Sequence, residues 1–136
     1  MPVDFEGMFA AARADRNAGR CDDAERAYAA AAEQARSEKE PVALAHALRH
    51  ISDLARERGS VAEALSSATE AVAIYREQPG SRPLDLANAL RLNALALSAA
   101  GRADEARALW QDARALYAQT GVIAGVEEAD ARLSTD

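Results

Sequence analysis

The segment PVALAHALRHISDLARERGSVAEALSSATEAVAIY at residues 41–75 returns at 83–117 as PLDLANALRLNALALSAAGRADEARALWQDARALY. At this offset of 42 (83 minus 41), Pro41 falls on Pro83, Leu44 on Leu86, Ala45 on Ala87, Leu48 on Leu90 and Arg49 on Arg91. Further along, Gly59 falls on Gly101, Ala64 on Ala106, Ala71 on Ala113 and Tyr75 on Tyr117. A shift back by 40 (48 minus 8) shows a fainter copy, with Met8, Gly19, Ala24 and Ala31 standing for Leu48, Gly59, Ala64 and Ala71. A period of this size marks units that cannot bury their apolar faces alone and must stack in line. The chain is therefore expected to be one domain over 1–136, with units at about 4–40, 41–82 and 83–121 and a cap at 122–134.

Each unit reads as two helices. Alanine and straight-chain charged residues dominate, aromatic residues make up only 4%, and such a composition favours helix because these side chains lose least on entering one. Pro41 and Pro83 suit a first helical turn, where the missing N–H costs nothing. Gly19, Gly59 and Gly101 suit the left-handed residue that ends a first helix. Leu44, Leu48, Ile51 and Ala55 recur on one helical stripe. The second helices begin near Asp22, Val61 and Ala103, and EQPGSRP (77–83) and QTG (119–121) are turns. Ala24 and Ala31, Ala64 and Ala71, and Ala106 and Ala113 lie on one face of their helices, where a neighbouring helix can approach closely. In the tail, Ile123, Val126, Ala129 and Leu133 fall at helical spacing, as a capping helix over an open end requires.

The order of small residue, Gly, Ala, Ala occurs three times: Ala12, Gly19, Ala24, Ala31; Ser52, Gly59, Ala64, Ala71; Ala94, Gly101, Ala106, Ala113. With the bulky Met8, Leu48, Leu90, Tyr28 and Trp110, this pattern resembles the tetratricopeptide repeat over nearly the whole chain. The longer period is similar to that of kinesin light chains and many bacterial repeat proteins. HEAT and armadillo repeats share the period but not the Gly-Ala-Ala spacing. The resemblance implies an all-α fold, a right-handed α-α superhelix of three helix-turn-helix units plus a C-terminal capping helix. It also implies a protein-protein interaction module without catalysis, whose first helices line a concave groove.

Charge and motifs narrow the function classes. The formal net charge of −6 argues against general affinity for nucleic acid or anionic lipid. One cysteine, Cys21, makes no intramolecular disulfide and suits a reducing compartment. No apolar run reaches the roughly 18 residues of a membrane span, and no secretory leader is seen at MPVDFEGMFA; the expected location is cytoplasmic. Phosphate loops, nucleophile elbows and zinc motifs are missing, so neither catalysis nor a cofactor is expected.

The sharpest local feature is HALRHISD. His46, His50 and Asp53 project from one helix face, and histidines at this spacing can chelate zinc or nickel, although a fourth ligand would be needed. A small-ligand or metal-binding function is the alternative reading, and a solvated or peptide-contacting face accounts for the same residues.

The resemblance places Arg13, Asn17, His46, Arg49, His50, Asp53, Asn88 and Arg91 in the groove, with Phe9 and Arg16. Arginines there would attract an acidic segment or a terminal carboxylate, or would be solubilising residues paired with Asp53 and Glu57. Arg49→Glu is then expected to weaken binding without unfolding the chain. Leu92 and Leu95 replace His50 and Asp53 in the third unit, on a helix whose opposite face is also apolar. A bound peptide, a second copy forming a homodimer, or the capping tail should cover them.

Overall fold

The computed structural model describes residues 2–135. Among them are seven helices and no strand: α1 (Phe5–Asn17), α2 (Cys21–Ser37), α3 (Pro41–Glu57), α4 (Val61–Glu77), α5 (Pro83–Ala99), α6 (Ala103–Thr120) and α7 (Ile123–Leu133). The protein is all-α. Each helix packs along the next in chain order, and α3 also packs on α5. No helix among the described residues is long and apolar enough to cross a membrane.

The helix ends explain the sharp reversals. The N–H groups of Arg20, Ser60 and Arg102 donate to the carbonyls of Asp15, Ala55 and Leu97, each at 2.8 Å. That six-to-one bond closes only if the intervening residue is left-handed, and Gly19, Gly59 and Gly101 have φ of 83°, 87° and 78°. The turn after α2 makes the same bond, from Glu40 N–H to the Ala35 carbonyl, but its left-handed residue is Lys39, with φ 55°. Its side chain stands in a backbone region that costs L-residues roughly 1–2 kcal/mol.

The core lies where successive helices cross. Ala24, Ala31, Ala64, Ala71, Ala106 and Ala113 are all 1% exposed or less, which lets the helix backbones come close. The small residue of each first helix, Ala12, Ser52 or Ala94, is equally buried. The Ser52 hydroxyl donates to the Ala64 carbonyl at 2.7 Å and so brings no unsatisfied polar group into the crossing. Asn93 occupies the position held by Ile51 one unit earlier; it is buried, and its Oδ1 has no hydrogen-bond partner among the described residues.

The C-terminal helix packs against the leucine face. Leu92 and Leu95 are each 7% exposed, in an apolar cluster that also holds Trp110 and Ala129, with Leu133 packed against it. Of the three covers expected for these leucines, a peptide, a second copy or the capping tail, the chain's own α7 takes part in closing the face. Gly125 permits this docking, because a Cβ there would lie 2.4 Å from the Tyr117 ring.

Gly101 and Gly125 give a paired test of these two constraints. A Cβ on Gly101 meets nothing within 4 Å, so Gly101→Ala should cost only backbone strain, about 1–2 kcal/mol in urea unfolding. Gly125→Ala should cost more and should raise hydrogen exchange first in α7. Equal losses, with α7 still protected, would show that its seat on Tyr117 tolerates displacement.

Candidate functional site

The side chains of α1, α3 and α5 meet at an open cavity of about 180 Å³, lined by Arg16, Arg49, His50, Asp53, Asn88, Arg91 and Leu92. A wider hollow of about 440 Å³ adjoins it, sharing Asn88 and Arg91 and reaching Tyr117, Val122, Gly125 and Glu128. Together they form a groove across the first helices of the successive pairs and onto α7. Arg49, His50, Asp53, Asn88, Arg91 and Leu92 are thus brought together. Arg13 and Asn17 are exposed at the α1 edge, outside both hollows. His46 lies beneath Phe9, and Leu95 belongs to the core.

The arginines in the groove already have partners. Arg16 donates to Asp53 and Glu57, each at 2.9 Å. Arg49 donates to the Asp85 carboxylate at 3.3 Å and lies 3.4 Å from His46 Nδ1. The Arg49 and Asp85 side chains are only 11% and 12% exposed, and Arg82 closes the far side of Asp85 at 3.1 Å. Arg91 pairs with Glu128 of α7 through both carboxylate oxygens. The Arg49 partner is thus Asp85 rather than Asp53 or Glu57, and the groove is less cationic than its arginine content suggests.

Both histidines pack against aromatic rings. The His50 ring stacks on Tyr28 with centroids 4.6 Å apart and planes 7° apart. His46 sits 4.2 Å from Phe9 and 4.8 Å from His50. Burial is the main reason both imidazoles resist protonation, reinforced by Arg49 and, for His50, by His46 beside it; their pKa values fall to about 4 for His46 and about 3 for His50. Arg13 and Arg16 from α1 act in the same direction, and Asp53 and Asp85 oppose it. Burial works to raise the Asp53 pKa, but hydrogen bonds from Arg56 and Arg16 outweigh it and hold the carboxyl below its ordinary value. With Asp53 so occupied and His50 stacked, the three-residue face anticipated for a metal is not assembled. Among the described residues, no group of three or more His, Cys, Asp and Glu could hold a metal ion.

Asn88 is oriented from behind. The Tyr117 hydroxyl donates to Asn88 Oδ1 at 2.7 Å, so the amide nitrogen, a donor, is left for the groove. Tyr75 stands one unit earlier, where His46 replaces Asn88. Its hydroxyl is buried without a hydrogen-bond partner among the described residues, and burial pushes its pKa up to about 12. Sequence reasoning missed Asp85, Tyr117 and Glu128 as parts of the site. A signal was present: Asp85 follows Arg49 by 36 residues and Glu128 follows Arg91 by 37, slightly less than one repeat.

No protein-family model matches this chain, and no curated protein matches it.

Two outcomes follow from the charge arrangement. Below pH 6.5 the unfolded chain takes up protons that the folded imidazoles refuse, so stability falls from pH 6.5 toward the folded values near 4 and 3. His50 alone should account for about 2 kcal/mol by pH 5. Urea unfolding at pH 7 and pH 5 should therefore show a smaller drop for His50→Gln than for the unaltered chain; identical drops would remove His50 as the source. Arg49→Glu, in turn, would set a second carboxylate against buried Asp85. It should cost about 3 kcal/mol or more, contrary to its expected neutrality, and an unchanged melting temperature would contradict that pairing.

Proposed function

We propose that this chain is a non-catalytic protein-binding module of the tetratricopeptide type, a right-handed superhelix of helix pairs that holds an extended peptide segment in its groove. Paired helices at a period of 40–42 residues, left-handed glycines at the recurring turns and buried alanines at the crossings all support that reading. The exposed, unpaired Cys21 is in keeping with action in the cytoplasm.

The observation that carries the function is the groove itself: polar side chains from three successive first helices converge on one open channel. Asn88 offers a hydrogen-bond donor in the middle, a neutral His50 ring and Leu92 offer apolar contact, and guanidinium groups flank them. Such a mixture suits a peptide backbone with a few side chains, which main-chain hydrogen bonds would hold and shallow hollows would discriminate. Because the arginines lining the groove are internally paired, general attraction to acidic chains is weaker than an arginine count implies, and selectivity rests on placed contacts.

A phage-displayed library of random dodecapeptides supplies the test. The unaltered protein should enrich a related set of sequences, and Asn88→Ala should bind their synthetic versions about fivefold more weakly, the effect of one lost hydrogen bond of about 1 kcal/mol. Its melting temperature should stay within a few degrees. Equal affinity in the folded variant, or no enrichment from the library, would remove the groove from the account.

A further inference from the structure

Glu128 is the one carboxylate brought to the groove by the last helix. It meets Arg91, the guanidinium shared by both hollows, in a two-point pairing in which Arg91 Nη2 donates to Oε2 at 3.1 Å and Nε donates to Oε1. A fork of this kind matches a carboxylate in geometry as well as in charge.

The equivalent ion pair one unit earlier, Arg49 with Asp85, is locked. Asp85 is 12% exposed in its side chain, receives a second arginine from Arg82, and belongs to α5, which α6 covers. Glu128 differs in each respect. Its side chain is 30% exposed, Arg91 is its only partner among the described residues, and α7 is eleven residues long with no later described helix packed behind it. Exchanging the partner of Arg49 would require unpacking α5. At Arg91 it requires only that one half-exposed side chain swing out to water.

We propose that Glu128 is a resident stand-in for a ligand carboxylate, so that the acidic group of a bound peptide seats on Arg91 by displacing it. The inference rests on the groove reading above and names the chemistry of its occupant at one point. Glu128 then sets a threshold: held on the same chain at high effective concentration, it excludes weak carboxylates and admits one that other groove contacts help to position. It also holds the Arg91 guanidinium in one orientation at the groove while no ligand is bound.

Two peptides test this by NMR titration and calorimetry: an end-blocked hexaglutamate, which carries only side-chain carboxylates, and a neutral hexapeptide with a free C-terminus, which carries only the terminal one. Glu128→Gln should bind at least one of them about two- to fivefold more tightly than the unaltered protein, the range of a partly exposed ion pair. Which peptide gains identifies the source of the carboxylate. Adding Arg91→Gln to Glu128→Gln should abolish the gain, and an end-blocked hexaglutamine should show none in any variant. The proposal is overturned if Glu128→Gln gains nothing for either peptide, or if the gain survives loss of Arg91. Library peptides that still depend on Asn88 would, in that case, leave the groove reading standing without its acidic seat.

Discussion

Close approach of helix backbones at buried small residues is the constraint from which the rest of this architecture follows. With alanines at the crossings, the helices pack tightly enough for side chains of one first helix to reach the next. The reach recurs at one repeat position: Phe9 contacts His46, Arg49 contacts Asp85 and Arg91 contacts Glu128. A larger residue at Ala64 or Ala71 would push α4 away from α3 and α5 and so disturb the Arg49–Asp85 contact between those two helices. Alanine at the crossings is thus a precondition for the polar groove, although no alanine lines its central cavity.

Much of the fold is legible in the sequence alone, because its determinants are local and periodic. The repeat set the helix pairs, proline and glycine marked their ends, and the left-handed conformations of Gly19, Gly59 and Gly101 follow from the same reasoning. Lys39 escaped notice since nothing in its side chain announces a left-handed backbone; the geometry of the turn after α2 imposes it. Asn93 interrupts the apolar stripe of α5 and would not be assigned to a buried position from its chemistry.

The site was legible only in part, since Arg13, Asn17, His46 and Leu95 line neither hollow, and its pairing was not legible. Arg49, Asp53, Asn88 and Arg91, which the family resemblance assigns to a groove, line one cavity, yet each has a partner on another helix, at a separation that no single-helix pattern reveals. His46 and His50 illustrate the consequence. Spacing along α3 makes them look like ligands, whereas α1 and α2 supply Phe9 and Tyr28 and turn them into neutral packing surfaces. Leu92 and Leu95 look unpartnered for the same reason, since the residues that close over them arrive from α6 and α7, beyond the reach of any pattern within α5. Electrostatics follows the same rule: a local count of arginines suggests a cationic groove, and carboxylates from neighbouring helices bring it nearer to balance.

The forward direction of these contacts has a bearing on how the protein is made. In each, the residue nearer the N-terminus waits for one 36 or 37 positions later. On a ribosome, which delivers the chain from its N-terminus, a newly emerged helix pair holds a guanidinium or an aromatic ring whose counterpart has not yet been synthesised. Each unit is completed by the arrival of its successor, and α7 supplies the final counterpart, so the order of synthesis coincides with the order in which the groove is assembled.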